Sequence, residues 1–199
     1  EAHKRNMAVI LDWVANHTAL DNAWITQHKN WYQQDASGNI IIPPGTNYND
    51  VAQLNFNNTE MKDAMIDAMS YWVYNANIDG FRCDYADFVP NNFWADAISK
   101  LRKIKKNQEI LMLAEGSKYN HFASGFDFTF GFNFFYTIEQ LFKENNLESN
   151  LIDCLKTLKH QSSGQIGGIA GNIINLLNIL KNGYLIGYDF SHISIRQVD

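Results

Sequence analysis

Three acidic residues stand at the ends of short segments that are predicted to be strands, and their setting suits acid–base chemistry. Asp12 follows MAVIL, Asp84 follows FRC, and Glu115 follows ILMLA. Two carboxyl groups that face each other across a cleft can cleave a glycosidic bond. One protonates the leaving oxygen, and the other attacks the anomeric carbon or activates water. Glycosidic bond cleavage is therefore the first candidate chemistry.

Arg82 assigns different roles to two of these acids. It precedes Asp84 by two residues, and residues i and i+2 of an extended strand point to the same side. The guanidinium is thus expected beside the Asp84 carboxylate, where it favours the ionised form. A proton donor must instead stay protonated near neutral pH, through burial or a neighbouring carboxylate. This reasoning predicts Asp84 as the nucleophile and Glu115 as the proton donor.

Alternating strands and helices carry these residues. Strands are predicted at residues 7–11, 81–84, 110–114 and 126–130, the first of them buried on both faces. Helices are predicted at residues 59–75, 92–106, 136–143 and 147–158. Asn58 or Thr59 should cap the first of them, whose apolar stripe is Met61, Ala64, Met65, Ala68 and Trp72. In the second, the residues expected to face inward are Trp94, Ala97, Ile98 and Leu101. An order of strand, helix, strand predicts βαβ units and a parallel sheet.

Two α/β arrangements fit this order, an open doubly wound sheet and a closed (β/α)₈ barrel. No glycine-rich phosphate loop follows the first strand, which disfavours the dinucleotide-binding version of the open sheet. Acids at the ends of three strands favour the barrel, whose catalytic groups meet at the carboxyl ends of its strands. At most four strands are clear, and a closed barrel typically takes ~250 residues. The expectation is a partial (β/α)₈ barrel, residues 1–160.

Residues 17–58 form a long polar and aromatic stretch inside this domain. A connection of this length predicts a functional loop or a small inserted subdomain. Its aromatic residues Trp24, Trp31, Tyr32 and Tyr48 suit either a small core or stacking on sugar rings.

Residues 161–199 differ in character, with four charged residues, Lys181, Asp189, Arg196 and Asp199. The abrupt loss of charge motivates the hypothesis that this tail is non-native or out of frame.

Composition excludes several classes of function. Net charge is −5, and the chain has no basic cluster beyond residues 103–106, so no nucleic-acid partner is expected. Cys83 and Cys154 are too few for a disulfide framework and lack zinc-site spacing. No apolar run is long enough to span a membrane. The chain begins with Glu1, so we expect a longer parent protein, whose location stays open, secretion or the periplasm included.

Four short motifs, in order, resemble the α-amylase superfamily of glycoside hydrolases, of neopullulanase, cyclomaltodextrinase and α-amylase type. DWVANH at residues 12–17 resembles the DxVxNH block, and VAQLN at residues 51–55 resembles the short block near the end of the inserted B domain. GFRCD at residues 80–84 resembles GFRxD, and LAE at residues 113–115 stands where the acid/base glutamate is expected.

The resemblance implies a retaining α-glucan hydrolase or transglycosylase acting on starch-like substrates. The implied fold is a (β/α)₈ barrel with a short B domain, residues 17–58, after barrel strand 3. Asp84 would form the covalent glycosyl-enzyme, Glu115 would be the acid/base, and Arg82 would orient the nucleophile.

The resemblance also implies roles for three residues of the first block. His17 would hydrogen-bond the sugar at the cleaved bond, and Asp12 would be structural at the mouth of the active site. Asn16 matches a position that often binds a structural Ca²⁺ ion, although some members of the superfamily lack that ion.

The sequence departs from the superfamily pattern in three places. Ala86 and Asp87 stand where a Lys-His pair is usual, which changes the aglycone side. No NHD motif with the third catalytic carboxylate follows residue 130, and the first two barrel strands do not precede Asp12. The expectation is an incomplete, weakly active or inactive fragment.

Two other functions remain open on the sequence. One is a non-catalytic carbohydrate-binding relative. The other is a metal-dependent barrel enzyme, in which Asp12, Asp84 and Glu115 would bind Mg²⁺ or Ca²⁺. Arg82 speaks against the second, because a cation beside Asp84 competes with the metal.

Overall fold

The computed structural model describes residues 1–105, 109–130, 132, 136 and 194–196. The chain divides into two compact units, Glu1–Asp127 and Phe128–Asp199. In the first unit the element order is β1 (Ile10–Val14), β2 (His17–Ala19), α1 (Ala23–Gln27), β3 (Val51–Gln53), α2 (Thr59–Asn75), β4 (Gly80–Asp84), α3 (Asn91–Leu101), β5 (Leu111–Ala114) and α4 (Asn120–Ala123). In the second unit β6 (Phe128–Phe130) pairs antiparallel with β7 (Ser194–Arg196).

The first unit is built on a parallel sheet in which β4 lies between β1 and β5. Ile10 is in register with Gly80, and Gly80 is in register with Leu111. A Cβ on Gly80 would lie 1.9 Å from the Leu111 carbonyl oxygen, so only glycine allows the strands to approach this closely here. Parallel strands with helical connections confirm the predicted α/β class.

Two long helices, α2 and α3, pack against each other and contribute to the buried core. The Asn58 side chain accepts a hydrogen bond from the Met61 backbone N–H at 3.0 Å and caps α2, as predicted. Helix α3 buries the four residues predicted to face inward, Trp94, Ala97, Ile98 and Leu101. It ends at Leu101, not at the predicted residue 106.

The buried face of α2 differs from the prediction. Trp72 is 41% exposed, whereas Ile66, Met69 and Val73 are buried. Both sets have helical spacing, and Ile66, Met69 and Val73 belong to the buried core. The expectation that Trp72 belongs to the core is wrong.

The first strand also differs from its prediction. It covers Ile10–Val14 and not residues 7–11, because its partner β4 begins at Gly80, the register partner of Ile10. Ile10 and Val14 are exposed along with Asp12, so the prediction of burial on both faces is wrong.

The segment between β1 and α2 is a small insertion, held by the antiparallel pair β2 and β3. Trp31 and Tyr32 are buried inside it, and Trp24 packs edge-on against Trp31 with ring centroids 5.0 Å apart. These three aromatic side chains form the core of the insertion, whereas Tyr48 is 50% exposed.

Several predicted features lie outside the described residues. They are the helices at 136–143 and 147–158 beyond Tyr136 itself, and residues 161–199 apart from β7. Within the described part of the chain, no helix combines the length and apolar character that a membrane span requires.

Candidate active site

The two proposed catalytic acids lie at the carboxyl ends of neighbouring parallel strands. Asp84 is the last residue of β4, and Glu115 directly follows β5. The Glu115 backbone N–H donates to the Cys83 carbonyl oxygen at 2.9 Å, so strand pairing sets its position beside Asp84. The side chains of Asp84 and Glu115 are 28% and 27% exposed, which leaves both open to a ligand.

Arg82 binds three carboxylates at once. Its Nη1 donates to Asp84 Oδ1 at 2.6 Å and to Asp12 Oδ1 at 2.7 Å, and its Nη2 lies 2.7 Å from Glu115 Oε1. The expected contact with Asp84 is present. Arg82 binds Glu115 as well, so its contact with Asp84 does not by itself distinguish the roles of the two acids, which stay a prediction.

Asp12 lies inside a strand and not at its end. It is the middle residue of β1 and the register partner of Arg82. Its side chain is 68% exposed, so the interaction with Arg82 is the contact that ties it to the site. The guanidinium occupies the space among the three acids, and a metal ion bound by the same three carboxylates would have to displace it.

The second oxygen of Glu115 is bound by backbone. The Tyr85 N–H donates to Glu115 Oε2 at 2.9 Å. Tyr85 has φ of 52°, a left-handed conformation that is uncommon for an aromatic residue. The turn after β4 therefore carries local strain that directs its N–H group toward the proposed proton donor.

A hydrogen bond between Asp87 and the buried His121 secures the loop after Glu115, and sequence reasoning missed it. His121 is fully buried, and its Nε2 lies 2.6 Å from Asp87 Oδ1. Asp87 also accepts from the backbone N–H groups of Ser117 at 3.1 Å and Lys118 at 3.3 Å. A Cβ on Gly116 would lie 2.5 Å from Asp87 Oδ1, so glycine is required there.

The electrostatics of Asp87 follow from these contacts. Burial raises the pKa of its carboxyl group, but the hydrogen bonds from His121, Ser117 and Lys118 outweigh burial and lower the pKa below its usual 3.8. Asp87 is therefore ionised and holds the loop as a carboxylate. Asp87 stands where the superfamily usually has another residue, and this departure is the sequence signal that could have indicated its role.

His17 belongs to a chain of amide hydrogen bonds. Gln53 Nε2 lies 3.1 Å from two backbone carbonyl oxygens, those of Asn16 and Leu54, which identifies it as nitrogen. The Asn16 atom 3.2 Å away must then be Oδ1, and Asn16 Nδ2 donates to Gln53 Oε1 at 3.1 Å. Asn16 Nδ2 also lies 3.2 Å from His17 Nδ1, which accepts.

This series of hydrogen bonds fixes the tautomer of His17. Because Nδ1 accepts, the proton of the neutral ring is on Nε2, which is free to donate. Burial lowers the pKa of His17 below its usual 6.5, and the nearby carboxylates of Asp84 and Asp50 only partly oppose this. His17 is thus a neutral donor near the proposed nucleophile.

Residues 45–156, more than half of the chain, match the family model of the α-amylase catalytic domain. The chain belongs to the α-amylase family. This α-amylase domain has a TM-score of 0.69 and 32% identity to the maltogenic α-amylase AmyB of Thermotoga neapolitana, over 80% of this chain and 36% of that one. An α-amylase of Lactobacillus plantarum has a TM-score of 0.71 and 28% sequence identity, over 82% of this chain and 40% of that one.

The α-amylase domain is also similar in sequence to two further relatives. It is 28% identical to the α-amylase MalA of Haloarcula japonica over 59% of this chain and 18% of the relative. It is 27% identical to a cyclomaltodextrinase of Geobacillus thermopakistaniensis over 55% of this chain and 21% of that relative. The chain thus spans between 18% and 40% of each of these four relatives.

Asn16 does not fit the Ca²⁺ role that its position in the α-amylase family implies. Its side chain is buried, and both amide atoms are already hydrogen-bonded to Gln53. Across the described ranges, no group of three or more His, Cys, Asp or Glu residues is arranged to hold a metal. The expected calcium ligand is therefore an internal hydrogen-bonding residue in this structure.

An aromatic platform borders the acids of the α-amylase domain. The rings of Tyr85 and Phe88 are stacked, with centroids 4.0 Å apart, and Phe88 is 60% exposed. Tyr85 also meets His17 edge-on at 6.4 Å. Tyr85 is partly buried, and Lys118 Nζ lies over the Phe88 ring, 5.7 Å from its centroid.

Proposed function

We propose that the protein carrying this chain is a retaining α-glucan hydrolase or transglycosylase, with Asp84 as nucleophile and Glu115 as acid/base. The observation that carries the proposal is the bridging of Asp84 and Glu115 by the two terminal nitrogens of Arg82. The two carboxyl groups that the reaction needs thus lie beside one cation, and the resemblance to the α-amylase family supports the retaining mechanism, in which one of them attacks carbon directly.

In the first step, an Asp84 oxygen forms a bond to the anomeric carbon. The bond between that carbon and the glycosidic oxygen breaks, and its electron pair stays on the oxygen. Glu115 supplies the proton that the leaving oxygen takes up. In the second step, Glu115 accepts a proton from water or from a sugar hydroxyl, whose oxygen displaces Asp84 and restores the α configuration.

Glu115 must carry a proton for the first step and transfer it to the leaving oxygen. Arg82 Nη2 lies 2.7 Å from Glu115 Oε1, and the Tyr85 N–H donates to Glu115 Oε2 at 2.9 Å. These contacts orient the carboxyl group of Glu115 beside Asp84, which Arg82 also binds.

The substrate would be held by groups around the acids. The Nε2–H of His17 is available to donate to a hydroxyl of the sugar at the cleaved bond. The stacked rings of Tyr85 and Phe88 would support the next sugar, because apolar faces of pyranose rings pack on aromatic rings.

Relatives support an α-glucan as the substrate. A structure of the Geobacillus thermoleovorans α-amylase, 27% identical with a TM-score of 0.57 over 70% of this chain, contains acarbose. Because this chain spans at most two-fifths of the relatives above, we place the full activity in the protein that carries the rest of the domain. The 199-residue chain alone should hydrolyse starch weakly or not at all.

Product stereochemistry tests the proposal on the full-length protein that carries this chain. Proton NMR of maltotetraose digestion should show α-anomers as the first products, and Asp84→Asn should abolish their formation. Asp96→Asn, an exposed carboxylate on α3, is the matched control and should act like wild type. β-Anomeric first products, or wild-type rates in Asp84→Asn, would overturn the proposal.

A further inference from the structure

The Gln53 side chain lies at the centre of a buried cluster of oxygens. Its Nε2 is 3.1 Å from the Asn16 carbonyl oxygen, 3.2 Å from Asn16 Oδ1 and 3.1 Å from the Leu54 carbonyl oxygen. Asn16 and Gln53 are 1% and 5% exposed. Convergence of three oxygens on one interior point is the arrangement that a cation or a hydrogen-bond donor requires.

We propose that the Gln53 amide takes the place of a structural calcium ion in this protein. Asn16 Oδ1 is the oxygen that the family resemblance assigns to the ion, and here it accepts from Gln53 Nε2. The distances are those of N–H···O hydrogen bonds, longer than the roughly 2.3–2.6 Å of calcium ligation. The Asn16–Gln53 pair therefore closes the site without an ion.

The ligand chemistry favours the amide over a dication. All three oxygens are neutral carbonyl or amide oxygens, whereas calcium affinity rises with the number of charged ligands. Two N–H groups of Gln53 face three acceptors, and Gln53 Oε1 in turn accepts from Asn16 Nδ2 at 3.1 Å. Each polar atom of the pair is satisfied, so the buried cluster carries no uncompensated charge.

The position of the pair explains what it stabilises. Gln53 ends β3, at the base of the insertion, and Asn16 lies in the segment that follows β1. The Leu54 backbone N–H adds a bond to the Asn16 carbonyl oxygen at 3.1 Å. The pair thus fastens the insertion to the strand end beside the active site, and it holds the His17 ring through Asn16 Nδ2.

The test compares thermal unfolding of the 199-residue chain with EDTA and with millimolar CaCl₂. The wild-type midpoint should be the same in both. Gln53→Glu replaces the donor by a charged oxygen of the same size, so its midpoint in EDTA should fall by about 4 °C or more. CaCl₂ should restore it, and calorimetric titration should show one calcium ion bound to the variant and none to the wild type.

Gln34→Glu is the matched control, since Gln34 is exposed and its Nε2 donates only to the Lys29 carbonyl oxygen at 3.1 Å. Its midpoint should respond to neither reagent. A wild-type midpoint that EDTA lowers, or one calcium ion bound per wild-type chain in calorimetric titration, overturns the proposal. So does a folded Gln53→Glu protein that ignores calcium. If Gln53→Glu does not fold under either condition, the wild-type midpoint and titration alone decide.

Discussion

Arg82 Nη2 lies 2.7 Å from Glu115 Oε1, so the proposed proton donor binds the same guanidinium as the proposed nucleophile, Asp84. One cation thus links two acids that must differ in protonation during catalysis. The side chains of Arg82, Asp84 and Glu115 are 21–28% exposed, so a substrate can reach them. Unless stated otherwise, the kinetic predictions below concern the full-length protein that carries this chain.

Removal of the proton donor should depend on the leaving group. Glu115→Gln should lower kcat on maltooligosaccharides by about 100- to 10,000-fold, the usual contribution of general acid catalysis. A 4-nitrophenyl maltoside, whose leaving group needs no proton, should lose far less in its first step. Burst kinetics on both substrates measure this. Equal losses on the two substrates would show that Glu115 is not the acid.

Replacement of Arg82 by Lys should impair catalysis more than folding. A lysine cannot bind Asp84 and Glu115 through two fixed nitrogens, so their relative placement is lost. We expect kcat to fall at least about 100-fold, as misplaced catalytic groups typically cause. Arg102→Lys, at the exposed pair with Asp127, is the control and should change stability by at most about 1 kcal/mol. A fully active Arg82→Lys enzyme contradicts the role of the guanidinium.

His17 should make stability depend on pH. Its pKa is lowered in the folded state, so the unfolded state binds the proton more tightly. Stability should therefore decline as pH falls through the usual 6.5 toward the lower folded value. Urea unfolding of the chain at several pH values measures this, and His17→Gln should remove that part of the decline.

The tautomer of His17 can be measured directly. Nitrogen-15 NMR of the ring should report the proton on Nε2, and a proton on Nδ1 would refute the hydrogen bond that Nδ1 accepts from Asn16.

Asp87 should stabilise the loop after Glu115 as a carboxylate. Asp87→Asn weakens the bonds to His121, Ser117 and Lys118, and we expect a loss of about 1–3 kcal/mol in free energy of unfolding. Because the pKa of Asp87 is lowered, the difference from wild type should vanish as pH falls through its folded value. Asp96→Asn should stay within about 0.5 kcal/mol of wild type. No difference at neutral pH would show that the pair does not hold the loop.

Local pattern predicted much of the fold and the placement of the acids. Apolar runs located β4 and β5, and Asn58 with the periodicity after it located α2. The first strand was misplaced because its bounds depend on its pairing with β4, which is a contact distant in sequence. Trp72 was assigned to the core because a helical sequence allows two overlapping apolar stripes, and only packing selects between them.

The sequence predicted that Arg82 and Asp84 would be in contact, but it did not predict the other contacts around them. The spacing of Arg82 and Asp84 predicted their contact, since it depends only on strand geometry. The contacts of Arg82 with Asp12 and Glu115, and of Asp87 with His121, join separate strands and loops. No periodicity encodes such contacts. Likewise, the exchange of hydrogen bonds between Asn16 and Gln53 depends on the pairing of β2 with β3.

The central claim is that Asp84 is the nucleophile, and trapping of the glycosyl-enzyme tests it most directly. A fluorinated maltosyl fluoride forms the covalent bond readily and releases it slowly. Peptide mass spectrometry of the inactivated full-length protein should locate one glycosyl group on the peptide that contains Asp84, and on that residue. A label on Glu115 or Asp12 instead, or continued hydrolysis with no labelled residue at all, would contradict the account.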